Sequence, residues 1–196
     1  AGRARGAVLA DFTGDGILDL VVARRREPDV LYVGLGDARF TKAKLFGAAE
    51  GSSTSVAAAD FDADGDIDLA FARRDGQPSV VAWNTGTGEF VERELPDSVA
   101  DARRIVAGDF DGDGHIDLAL GLVGAANRIY RGDGAGDFAR GASFGAPDGR
   151  TYALVAADFD LDGDLDFIEG NDEQPNAAYF NIGAGSGNAP SFEHIA

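Results

Sequence analysis

The chain has 196 residues, a formal net charge of −17, no cysteine and no methionine. Its length bounds it to one sizeable core or a short repeat array. The missing cysteine removes disulfides, thiolate zinc sites and cysteine nucleophiles together, and the acidity argues against a nucleic-acid partner, because phosphates would be repelled. Hydrophobic residues make up 44% of the chain and glycine takes 28 positions, which favours a folded, turn-rich chain over a disordered or helical one. No apolar run approaches the roughly 18 residues of a membrane span. The absence of a signal-like start and of methionine is what a mature product or an excised segment would show.

In chain order, the first element is a small apolar run, "AVLA" at 7–10, which leads into the acidic loop "DFTGDGILDL" from Asp11. Leu18, Leu20 and Val22 then alternate with smaller residues, and "YVGLGDARF" turns on glycines to end at Phe40. The same order returns with "VAAA", "DFDADGDIDL" from Asp60, the alternating Ile67, Leu69 and Phe71, and "WNTGTGEF" ending at Phe90. It returns with "IVAG", "DFDGDGHIDL" from Asp109, then Ile116, Leu118 and Leu120, and "YRGDGAGDF" ending at Phe138. The last copy reads "LVAA", "DFDLDGDLDF" from Asp158, then Leu165 and Phe167, and "YFNIGAGSGNAPSF" ending at Phe192. Successive acidic loops start 49 residues apart, and four such periods fill the 196-residue chain, the signature of a repeat architecture.

Alternation with period two makes the run after each loop a strand. Its bulky side (Leu69 and Phe71, for example) faces away from a thin side (Ala70 and Ala72), with Val21 and Ile168 as larger exceptions on the thin side. Such a strand is buried on both faces, as in sheets stacked bulky side against thin side. Each repeat offers about four short strands, and four-stranded units repeated radially are β-propeller blades. The expected fold is all-β: a propeller or half-propeller of four blades, approximately 1–49, 50–98, 99–147 and 148–196. An open row of four leaves one bulky and one thin face bare, so two chains are expected to pair head to tail into a closed eight-blade ring, the alternative being a four-blade ring closed on itself.

Carboxylates at loop positions 1, 3, 5 and 9 with Gly at 6 match a calcium loop. Calcium takes about 6–8 oxygen ligands, so several acids must converge from one sharp turn. The assigned side-chain ligands are Asp11, Thr13, Asp15 and Asp19; Asp60, Asp62, Asp64 and Asp68; Asp109, Asp111, Asp113 and Asp117; and Asp158, Asp160, Asp162 and Asp166. The seventh position, Ile17, Asp66, His115 or Asp164, would give its backbone carbonyl. Up to four Ca²⁺ per chain would bring the formal charge from −17 to −9. Thr13 stands where the other loops have an acid, so the first site is expected to be the weakest. Glu169, twelfth from Asp158, completes an EF-hand pattern, but the flanks alternate like strands, and it reads as a strand-end residue.

The loops, the aromatic–glycine turns and the closing Phe resemble FG-GAP/VCBS repeats of integrin-α-like β-propellers. The resemblance implies a calcium-binding propeller, usually extracellular or on the cell surface, that serves in adhesion, glycan binding or as a non-catalytic part of a larger protein. The function expected is calcium-dependent recognition without catalysis, toward a protein or glycan ligand. The alternatives are a lectin using Trp83 and the tyrosines Tyr32, Tyr130 and Tyr179, or an excised or engineered half-propeller serving only as a scaffold. These four aromatics fall at comparable places in each repeat and read first as packing between blades. Arg24, Arg25, Arg26, Arg73 and Arg74 read as solvated strand ends balancing nearby acids.

Overall fold

The computed structural model describes residues 3–41, 44–183, 190 and 192–195. Among these described residues, sixteen strands form four antiparallel sheets of four, each in sequence order. Sheet 1 holds β1 (Ala4–Ala10), β2 (Asp19–Arg24), β3 (Asp29–Tyr32) and β4 (Lys44–Phe46). Sheet 2 holds β5 (Ser53–Ala59), β6 (Asp68–Arg73), β7 (Val80–Asn84) and β8 (Phe90–Glu94). Sheet 3 holds β9 (Asp101–Gly108), β10 (Asp117–Val123), β11 (Asn127–Gly132) and β12 (Phe138–Phe144). Sheet 4 holds β13 (Thr151–Ala157), β14 (Asp166–Asn171), β15 (Ala177–Asn181) and β16 (Phe192–Ile195). Among the described residues no helix is long and apolar enough to cross a membrane.

The small-residue strands lie innermost. β1 packs on β5, β5 on β9 and β9 on β13, whereas no comparable packing joins β13 back to β1 among the described residues. Small side chains are what this line of strands requires: a Cβ on Gly6 would come 3.2 Å from the Ser55 backbone. Three apolar clusters fill the three junctions. Phe12, Val21 and Ala23 meet Leu69 and Phe71 between sheets 1 and 2. Ala70 and Ala72 meet Leu118 and Leu120 between sheets 2 and 3. Phe110 and Ala119 meet Phe167 and Tyr179 between sheets 3 and 4. Each large side chain buried there contributes roughly 1.5–3 kcal/mol.

The two end faces have no such partner. On sheet 1 Leu9 is 55% exposed and Leu18 58%; on sheet 4 Val155 is 52% exposed and Ile168 39%. These are the bulky face of the first sheet and the thin face of the last.

Strand pairing corrects two sequence expectations. Leu20, Leu118 and Phe167 pair with Tyr32, Tyr130 and Tyr179, but Leu69 pairs with Ala82. Trp83 is therefore one position out of the tyrosine register and on the opposite face. There it stacks on Phe138 at 24°, meets the edge of Phe61 and lies under the Arg93 guanidinium at 5.9 Å. The second departure is Arg73, expected at a solvated strand end. It is only 4% exposed, held between Glu92 of its own sheet and Asp29 of sheet 1.

Candidate metal centre

Each acidic loop joins the first and second strands of its sheet, so all four project from the same end of the strands. Sharp reversal is achieved at two left-handed positions. The sixth residue is always glycine, with φ of 83°, 95°, 88° and 102° at Gly16, Gly65, Gly114 and Gly163. The fourth is Gly14 or Gly112 in two loops but Ala63 (φ 59°) and Leu161 (φ 66°) in the others. A side chain in that region costs about 1–2 kcal/mol, which these loops tolerate to keep their curl.

The curl turns backbone N–H groups onto the first aspartate. Asp11 accepts from Gly14, Asp15 and Gly16 at 2.7–3.2 Å, and Asp109 from Gly112, Asp113 and Gly114 at 2.8–3.2 Å. These N–H donors, Gly16 foremost, hold the Asp11 carboxyl below its ordinary range. The fifth-position acids Asp15, Asp64, Asp113 and Asp162 each accept from the N–H two residues on, at 2.8–3.0 Å.

The ninth-position aspartates are almost fully buried and tie each loop to its sheet. Asp19, Asp68, Asp117 and Asp166 accept on one oxygen from the N–H of the loop phenylalanine (Phe12, Phe61, Phe110 or Phe159). The other oxygen accepts from the last residue of the third strand at Asn84, Gly132 or Asn181, and in sheet 1 from Gly34, just beyond that strand. Burial pushes Asp68 and Asp117 up to about 6, against the pull of these N–H donors. Burial and the neighbouring carboxylates raise Asp62 as well.

Carboxylate oxygens of the first, third and ninth positions converge within 4.8 Å of one another in three loops: Asp60, Asp62 and Asp68; Asp109, Asp111 and Asp117; Asp158, Asp160 and Asp166. The fifth-position acids stand outside these groups. The first loop forms no such group among the described residues, but its Thr13 Oγ1 is buried without a hydrogen-bond partner, an oxygen to spare in the same place. In the third loop Arg131 Nε lies 2.5 Å from Asp111 Oδ2, so an internal cation already leans on that carboxylate. Three like charges brought this close repel by roughly 1–4 kcal/mol per pair, and the donor set is all oxygen. Both properties fit a hard divalent cation such as calcium. His115, at a carbonyl position, keeps its ring exposed. Glu169 lies outside the loops, within β14, and is only 4% exposed, rather than at a strand end.

The fold is shared with solved structures of low sequence identity. A lectin from Burkholderia pseudomallei, BP39L, superposes with a TM-score of 0.71 at 17% identity over 97% of this chain and 55% of its own. A lectin from Agrocybe aegerita, described as recognising non-reducing terminal N-acetylglucosamine, gives 0.60 at 22% over 95% and 50%. BBS1N, solved in complex with ARL6DN, gives 0.63 at 12% over 100% and 57%. The chain thus spans about half the length of these structures. No curated protein matches the sequence. The FG-GAP-like repeat family matches at residues 11–71 and again at 60–120, each match running from one acidic loop through the next, and the chain belongs to that family.

Proposed function

We propose that this chain is a non-catalytic recognition module of a β-propeller, used outside the cell and held in shape by calcium in its acidic loops. The observation that carries the reading is the convergence of first, third and ninth carboxylates in three successive loops. Asp60, Asp62 and Asp68, with their counterparts in sheets 3 and 4, would hold an ion through side-chain oxygens. Asp11, Asp19 and Thr13 Oγ1 would do so more weakly in sheet 1. The ion supplies charge neutralisation, and the loops are already curled by their own N–H donors to receive it. Excess chelator is expected to lower the melting temperature, and calcium to restore it, because an ion that binds only the folded loops stabilises by RT ln(1 + [L]/Kd) per site. An unchanged melting temperature would refute the calcium assignment.

The ligand is a protein or a glycan. Lectins among the structural neighbours favour the glycan, and a glycan array against a protein pull-down separates the two. Trp83 would not be the sugar platform, since Phe138, Phe61 and Arg93 already occupy its ring.

The bare end faces support assembly of two chains into one ring of eight sheets. In the first two junctions a loop phenylalanine meets the phenylalanine that opens the next sheet's fourth strand: Phe12 with Phe90, and Phe61 with Phe138. Phe159 is 41% exposed at one end of the row and Phe40 38% exposed at the other. A second copy would bring them together twice, with Leu18 and Leu9 opposite Ile168 and Val155.

A further inference from the structure

Two cavities occupy corresponding places at the strand ends remote from the acidic loops, one between sheets 1 and 2 and one between sheets 3 and 4. The correspondence follows from register. Arg73 pairs with Ser53 as Asn171 pairs with Thr151, and Phe71 pairs with Val80 as Glu169 pairs with Ala177. Gln77 accepts from Ser52 N at 2.8 Å and donates to Glu50 O; Gln174 accepts from Arg150 N at 3.1 Å and donates to Asp148 O. Each glutamine precedes a proline that lines its cavity. The first cavity measures about 290 Å³ and the second about 610 Å³.

Charge separates them. In the first, Arg73 Nη2 lies 2.5 Å from Glu92 Oε1 and 3.8 Å from Asp29 Oδ2, so buried acid meets buried cation. In the second, Asn171 stands in the register of Arg73. The acid there is Glu169, only 4% exposed. It accepts from Asn127 Nδ2 at 2.7 Å, Thr151 Oγ1 at 3.3 Å, Asn171 Nδ2 at 2.9 Å and Tyr179 OH at 3.0 Å. All four donors are neutral. Arg150, at the same strand ends, is committed to Asp172 and Glu173 instead. Hydrogen bonds satisfy the lone pairs of a carboxylate but leave its charge, and buried charges are ordinarily paired. The larger cavity therefore holds a buried acid, at the register that Phe71 occupies in sheet 2, with only neutral donors against it among the described residues.

We propose that the cavity between sheets 3 and 4 binds a guanidinium group supplied by a ligand, which would enter beside Asn171, at the register of Arg73, and give Glu169 a cation. A planar guanidinium suits a site of carboxylate and amide oxygens better than a compact ammonium does. Glu169 faces sheet 3, so the cavity stays open whether or not a second copy covers the far face of sheet 4.

The test is calorimetric titration of the full chain in calcium with N-acetyl-L-arginine amide and with the tripeptide Gly-Arg-Gly. Both are expected to bind. Glu169→Gln should weaken binding about tenfold or more, as loss of a charged partner does. Asn171→Arg should abolish it by filling the cavity from within, while its melting temperature in calcium stays at or above that of the parent. Tighter binding of the tripeptide would assign a peptide-borne arginine, and tighter binding of the amide a small guanidinium compound; both support the site. The proposal is overturned if neither probe binds, if both variants bind like the parent, or if N-acetyl-L-lysine amide or N-acetylglucosamine binds as well as the arginine probes. Failure here would leave the chelation result untouched, since the two sites lie at opposite ends of the strands.

Discussion

Phe110 and Phe159 hold the same place in successive sheets, yet one is 1% exposed and the other 41%. Leu118 and Leu20 likewise share a register, and only Leu118 is fully buried. The side chains are alike and the backbone is alike; the difference is whether another sheet follows. Hydrophobic patterning in this chain therefore encodes junctions, and a sheet's stability is held jointly with its neighbours.

The largest expected effect comes from treating the two phenylalanines as a matched pair. Phe110→Ala should destabilise by about 3–5 kcal/mol, the usual cost of emptying a buried aromatic site. In an open row of four sheets Phe159→Ala should cost far less. In a closed pair of chains it should cost a comparable amount and dissociate the assembly. Light scattering in calcium is expected to give a mass near twice 20.3 kDa for the parent, falling to that of one chain for Ile168→Arg. A single-chain mass for the parent would rule out the ring.

A second comparison sets Asp29 beside Asn127, which pairs with Phe144 as Asp29 pairs with Phe46. Burial raises Asp29 from 3.8 to about 6, with the Arg24 N–H, Ser53 and Arg73 pulling the other way. The folded state then holds a proton that the unfolded chain releases. The stabilisation from this group is complete below about pH 4 and is lost as pH rises through 6. Asp29→Asn should therefore raise stability at pH 7.5 by up to roughly 2–3 kcal/mol and change it little at pH 4. Thermal melts at both values check this, and a variant less stable at pH 7.5 would show that the attraction to Arg73 dominates.

The smallest expected effect lies in the loops. Thr13→Asp should raise calcium affinity at the first loop about tenfold by adding a carboxylate where Thr13 Oγ1 stands. Titration of single-loop variants measures it. The parent's first loop binding as tightly as the second would contradict the ranking.

The strands and loops were legible because period-two alternation and repeated aspartates are local signals that four copies reinforce. The acidic loops were legible as a repeated set, but which of their carboxylates converge was not. The first, third and ninth acids converge, while the fifth stands outside the group, a distinction made by loop curvature. The aromatic register was misread at Trp83 because the turn before β7 carries one more residue than its counterparts, which moves the side chain to the other face. Arg73 and Glu169 looked ordinary in the sequence. Their burial depends on residues of another sheet, such as Asp29 and Asn127, and no window along the chain contains both partners.

The open row has one more consequence. A body whose first face complements its own last face is suited to endless head-to-tail growth, as in a filament. In the proposed eight-sheet ring, growth would be ended by the angle between neighbouring sheets, which the small side chains of β1, β5, β9 and β13 permit. Enlarging those residues would widen or flatten the arc without removing either sticky end. The alanines at 57–59, 107 and 156–157 would thus act as more than filler: in the proposed assembly they would set the curvature that decides between a finite ring and a fibre.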